Sequence, residues 1–204
     1  MIAKRIGGQA FAAGSIALAI LIAAPMAASA SEAAEGFIQH CGEDVSAIVS
    51  NSSQTTRDKR SDIWQIIDRS INSEQIARAT LGDYAAPLSQ REIDRYVQAL
   101  RRYVRLRYAG ELATAFELEM TITGSNEMRR SRGTRVTSRV SINGGRAREV
   151  DWRVVDDQFI ADVQIDGVWL VSDLKSRLDP VLMQSGGALD AAIDYLNDQI
   201  KEDE

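Results

Sequence analysis

Two aspartates and two tyrosines are the side chains of this chain whose types and spacing suit chemistry. Asp151 and Asp162 lie in successive stretches of alternating sequence, and Tyr96 and Tyr103 lie two helical turns apart. A carboxylate base with a phenol donor inside a cavity is the equipment of isomerases and dehydratases. Asp151, however, falls on the strand face opposite Trp152, where a solvated charge is the simpler role. Metal chemistry finds less support. His40 is the only histidine and Cys41 the only cysteine, so this adjacent pair lacks the further ligands a zinc site needs, and no internal disulfide is possible. The sequence holds no nucleophile elbow, glycine-rich phosphate loop or zinc motif. No catalytic residue, cofactor or metal is therefore expected. What remains is apolar surface.

The largest such surface runs over residues 147–187. Val150, Trp152 and Val154 alternate with Glu149, Asp151 and Arg153, the period of a strand whose two faces meet different environments. After Asp156-Asp157 the alternation resumes at Phe159, Ala161, Val163 and Ile165. Gly167 interrupts it, Val168, Trp169, Leu170 and Val171 run on without a polar residue, and helical spacing takes over at Leu174, Leu178, Val181 and Leu182. Two earlier strands are expected. One carries Phe116, Leu118, Met120 and Ile122 and loosens at Gly124-Ser125-Asn126; the other carries Val136, Ser138, Val140 and Ile142 and ends in the hairpin signal Asn143-Gly144-Gly145. Four strands joined by short turns form an antiparallel meander with one apolar face.

Helices precede and follow this sheet. The spacing predicts one over 31–50 with Phe37, Cys41, Val45, Ile48 and Val49 on a stripe, and one over 56–71 with Ile63, Ile66, Ile67 and Ile71 inward and Arg57, Lys59 and Arg60 outward. A short helix capped by Asn72 or Ser73 reaches Leu81, and Gly82 closes it. The capping box Ser89-Gln90-Arg91-Glu92 starts a helix expected to stop at Gly110, with Ile93, Tyr96, Val97, Leu100, Tyr103 and Val104 on its apolar face. A last helix carries Leu189, Ala192, Ile193, Leu196 and Ile200. The fold class is α+β: a curled antiparallel sheet of about four strands with N-terminal and C-terminal helices packed on it, enclosing an apolar cavity. Its expected lining is Leu81, Tyr96, Leu100, Tyr103 and Val104 from the helices. The first two strands add Phe116, Leu118, Met120, Ile122, Val136 and Val140. The last add Val150, Trp152, Val154, Val163 and Ile165, with Val168, Trp169 and Leu170 beyond Gly167.

Lys4 and Arg5, the apolar run 10–24 and Ala28-Ser29-Ala30 have the form of a cleaved secretory signal over residues 1–30, which leaves a single domain over 31–204. The whole chain carries a formal charge of −5, and loss of Lys4 and Arg5 makes it more acidic still, which argues against nucleic acid as a partner. Against that balance stands an arginine run, Arg129, Arg130, Arg132 and Arg135, continued by Arg139, Arg146 and Arg148. Such a run suits a head group or an acidic partner surface.

Three segments carry a family resemblance. Ile76 to Tyr84 reads IARATLGDY, Tyr103 to Glu111 reads YVRLRYAGE, and the stretch from Ala147 to Gly187 supplies a strand, a turn and a helix in the same order. In these the chain resembles the MlaC family of periplasmic phospholipid-binding proteins, also called toluene-tolerance or auxiliary ABC-transport proteins. The chain departs from the family where Trp169 stands at a position commonly occupied by serine. The resemblance implies a periplasmic carrier of a Gram-negative bacterium, acting as a monomer. Such a carrier shuttles phospholipid between an outer-membrane lipoprotein complex and an inner-membrane ABC transporter complex and maintains outer-membrane lipid asymmetry. A hopanoid or a small hydrophobic solute is the alternative cargo, and a cavity enzyme the alternative function.

Overall fold

The computed structural model describes residues 30–128 and 132–201. Helix α1 (Ala30–Ser50) opens the chain, and its buried stripe is Ala34, Ile38 and Val49, with Phe37 and Cys41 only half-buried. The inward face is thus turned toward Ile38, because the shallow amphipathicity of an alanine-rich start hides its true centre. Thr55 caps α2 (Thr56–Ser70), accepting from the Asp58 amide at 3.2 Å. Lys59 does not point outward as its charge suggests. It is buried, and its amine donates to the Val49 carbonyl at the end of α1, so one orphan carbonyl of that helix is satisfied by a cation. Helix α3 (Ser73–Leu81) starts at the Asn72 cap and ends at Gly82, whose φ of 58° only glycine adopts freely.

The expected capping box is present at α4 (Gln90–Val104). Gly110 does not stop this helix. The chain passes through a π-helical turn over 105–109 and continues as α5 (Gly110–Ala113), since a lone glycine inside a helix weakens it without ending it.

Five strands follow in a meander of order β1-β2-β3-β4-β5: β1 (Leu118–Glu127), β2 (Thr134–Ile142), β3 (Arg148–Val155), β4 (Phe159–Ile165) and the two-residue β5 (Val168–Trp169). The sheet exceeds the expected four strands by this last short edge. Nor does β1 loosen at Gly124: it runs on to Glu127, absorbing the irregularity as a register shift between Ile122 and Gly124. The turns after β2, β3 and β4 place Asn143-Gly144, Asp156-Asp157 and Asp166-Gly167 at positive φ, a left-handed pair that suits the twist of paired strands, although only the last connection is a two-residue loop. Helix α6 (Leu170–Gln184) begins four residues before its heptad-like spacing becomes legible, and α7 (Leu189–Lys201) buries Leu189, Ala192, Leu196 and Ile200.

Three apolar clusters hold these layers together. The largest joins α3, α4, α6 and α7 through Leu81, Ile93, Tyr96, Leu100, Leu178, Leu182 and Leu196. A second ties Val49 and Ile63 to Ala109, Ala113 and Leu118. The third lays Ala34 and Ile38 of α1 on Val136, Val154 and Ile160 of the sheet.

Candidate functional site

Strand register decides which of the expected lining residues share a wall. Leu118 faces Ile142, Met120 faces Val140, Val136 faces Trp152, Val150 faces Ile165, Trp152 faces Val163, and Ile165 faces Val168. Cross-strand partners lie on one side of a sheet. These side chains, with Ile122 and Val154, therefore form a single apolar face. Helix α1 lies across it along β1: Glu35 accepts from the Ser125 hydroxyl at 2.5 Å and the Ser46 hydroxyl donates to the Leu118 carbonyl at 2.8 Å. Between these anchors Gly42 carries no side chain, and the end of Met120 fills the space a Cβ would occupy.

Beyond α1 the face stays open. Val140, Ile165 and Val168 join none of the three clusters and keep exposure, Trp152 and Val163 are only half-buried, and Val150 alone of this group is buried. The Trp152 indole donates to the Ser138 hydroxyl at 2.8 Å, and that hydroxyl donates on to the Val150 carbonyl at 3.3 Å. The polar atoms of the face are spent on one another.

The remaining expected lining residues lie elsewhere. Leu81, Tyr96 and Leu100 are packed in the helical cluster, with Tyr103 and Val104 at its margin. Tyr96 has no measurable exposure, its hydroxyl lies 3.1 Å from that of Thr80, and burial pushes its ionisation well above the usual phenol range. Phe116 precedes β1 and is 67 % exposed. Leu170 is the first residue of α6, and Trp169 pairs with Gln164, one residue out of phase with Val168, which puts the indole on the opposite side of the sheet.

That opposite side is the polar one, and α3 and α6 cover part of it. Asp151 is buried there and not solvated: its Oδ1 accepts from the Thr137 hydroxyl at 2.6 Å. Asp162 is buried too, one carboxylate oxygen accepting the amides of Val163 at 2.8 Å and Val171 at 3.0 Å, and burial raises its pKa despite those bonds. The Arg135 guanidinium lies 5.7 Å from the centre of the Trp169 ring. Trp169 lines a cleft of about 330 Å³ with Arg153, Asp162, Ser172 and Lys175. Tyr96 and Tyr103 belong to the helical cluster and both aspartates to the polar sheet side, so the acid–base constellation conceivable from types and spacing is not assembled.

Of the arginine run, Arg129 and Arg130 lie outside the described residues. Arg132 is almost fully exposed and 4.0 Å from Asp156, and Arg135 is 4.0 Å from Asp151. Both stand at the β1–β2 end of the sheet. Sequence reasoning passed over Tyr108. The π-turn brings it edge-on to Tyr103, ring centres 6.5 Å apart, and burial raises its pKa to about 12. The irregular turn that places it has no simple periodic signature.

Comparison with known proteins bears on this architecture directly. The model of the family described as MlaC protein matches residues 39–198. The chain belongs to the MlaC family. No curated protein matches it. Among solved structures, a phospholipid-binding protein from Ralstonia solanacearum, determined in complex with a phospholipid, is similar with a TM-score of 0.71 at 16 % identity. That similarity covers 83 % of this chain and 97 % of the other. The MlaC fold is thus a mixed one, an open antiparallel sheet with helices packed on it. Among the described residues no helix is long and apolar enough to cross a membrane, and no cluster of three potential ligands could hold a metal ion.

Proposed function

We propose that this MlaC-family protein is a periplasmic phospholipid carrier, not an enzyme, that takes acyl chains onto the open apolar face of its sheet and moves lipid between the two membranes. The observation that carries this reading is the half-covered face itself: Val140, Trp152, Val163 and Ile165 retain exposure beside α1 with no polar group left unpaired among them. Family membership and the phospholipid seen in the Ralstonia solanacearum relative support it. The energetics fit. A diacyl lipid presents about 30 methylenes at ~0.8 kcal/mol each, so on the order of 20 kcal/mol opposes its free passage through water. A greasy wall with few directional bonds offsets that cost and still releases its cargo.

In this reading residues 1–30 are the export signal, and the carrier serves an outer-membrane complex and an inner-membrane ABC transporter to maintain lipid asymmetry. Arg132, exposed at the hairpin end, is a contact for a partner protein, whereas Arg135 is held by Asp151 and the Trp169 ring. The deciding experiment is purification from a Gram-negative periplasm without detergent, followed by mass spectrometry of the extracted material. Stoichiometric phospholipid is the expected result. A hopanoid or small aromatic would change the cargo, and a lipid-free protein that takes up no phospholipid would overturn the reading.

A further inference from the structure

Four large apolar side chains are exposed among the described residues, Phe116, Val168 and Met183 by half or more and Ile142 by just over a third, and Phe116, Ile142 and Val168 stand at one end of the sheet. The Asn143 side chain fixes Phe116 beside the β2–β3 turn, accepting its amide at 2.8 Å. Ile142 pairs with Leu118 at the start of β1, and Val168 pairs with Ile165 beside the β4–β5 turn. Ile142 and Val168 thus continue the open apolar face to its edge. The other end is closed: Ala34 and Ile38 pack there on Val136 and Val154, and Ile71 bridges to Ile160.

We infer that the open end is the mouth of the lipid site, and that Phe116, Ile142 and Val168 form a docking rim for a partner protein whose own lipid opening is apolar and bordered by basic residues. This rests on the carrier reading. Acyl chains pass between two proteins without meeting water only where two apolar openings abut, and this end carries exposed apolar side chains at its lip. The charge around the rim selects the class of partner. Arg148 is held by Asp166 at 2.5 Å and is influenced by Glu111, Arg146 acts on Asp166, and Glu117 adjoins Phe116. Three carboxylates against two guanidiniums give no cationic patch for an anionic bilayer surface, and three scattered apolar side chains are a weak membrane anchor. A protein rim with basic residues complements both features.

The test loads the full mature protein with a phospholipid bearing a fluorescent acyl chain. Its release is followed to bacterial membrane vesicles that retain their proteins, and to protein-free vesicles of phosphatidylethanolamine and phosphatidylglycerol. The triple variant Phe116→Glu, Ile142→Glu, Val168→Glu is compared with Met183→Glu, which places the same charge on an exposed apolar position of α6. Per molecule of lipid held, the rim variant should lose at least tenfold in transfer to the protein-bearing vesicles, while Met183→Glu transfers normally. If the triple variant melts early, the neutral set Phe116→Gln, Ile142→Gln, Val168→Thr is read in the same way. Undiminished transfer by a folded rim variant overturns the inference. So does loss of bound lipid with the rate per lipid held unchanged, which would make these residues lining alone. An equal fall in transfer to protein-free vesicles would make the partner a bilayer and overturns it too. Failure of the unsubstituted protein to load any phospholipid is a separate outcome, and strikes the carrier reading itself.

Discussion

Asp162 does for α6 what the N-cap residue Trp169 cannot. An indole offers no acceptor to the first-turn amides, and the cap position makes no side-chain bond, so the carboxylate of the neighbouring strand takes the Val171 amide instead. Replacing Asp162 by alanine should therefore cost about 1–2 kcal/mol in chemical denaturation, whereas asparagine keeps the acceptor, removes a buried charge and should stay close to the parent. The buried phenols give a pH signature. Tyr108 ionises at about 12 in the folded protein and near 10 in the unfolded chain, and burial raises Tyr96 in the same direction. The unfolded state thus releases its proton first. The stability linked to these phenols is intact below pH 10 and is lost as pH rises from there toward the folded value. Alkaline unfolding followed by circular dichroism should start near pH 10, and Tyr108→Phe should make the fall less steep. Neither residue's role was legible beforehand. Asp162 reads as a candidate base and not as a cap for the next helix, and Tyr108 is aimed by a π-turn that no 3.6-residue pattern reveals.

At the scale of elements, strands were read more surely than helix ends. Alternation marks β2, β3 and β4 almost residue by residue, because a half-buried sheet imposes a period of two on side-chain chemistry. The misreadings arose where a local breaker was outweighed by tertiary packing: Gly124 inside β1 and Gly110 between the π-turn and α5. Lys59 is of the same kind, a charge drawn inward by an orphan carbonyl. One glycine does act as a hard constraint. Gly133, entering β2, has φ of 114°, and a Cβ there would lie 2.2 Å from the Val154 carbonyl oxygen of the adjacent strand. A backbone atom in a paired strand cannot swing aside as the tip of a side chain can. Gly133→Ala should destabilise the protein by roughly 2 kcal/mol or more in urea, from strained φ plus displaced pairing, whereas Gly36→Ala on α1, with open space at its Cβ, should be neutral or stabilising.

The whole molecule poses a question that neither residues nor elements settle alone: why an acidic, well-capped protein leaves part of its best apolar surface uncovered. The sequence made that surface visible as alternating valines and isoleucines, yet not its division into a closed half under α1 and an open half beside it, which depends on long-range packing of Glu35 on Ser125 and Ser46 on Leu118. Nor could it separate the helical cluster around Tyr96 from the sheet face, since both are simply apolar in one dimension. If the open half is a cargo site, cargo completes the fold. Ligand that binds only the native state stabilises it by RT ln(1 + [L]/Kd), about 2.7 kcal/mol at a hundredfold excess over Kd. For a domain of this size each kcal/mol raises Tm by about 2–4 °C. Protein stripped of lipid should therefore melt at least 5 °C below the same protein reloaded with phospholipid, by scanning calorimetry. The variant Ile165→Glu, which sets a charge in the middle of the open face, should abolish the difference and lower the Tm of the lipid-free form far less. A stripped protein that melts with the reloaded one would mean that the open face is ordinary surface, and that the acyl chains lie elsewhere.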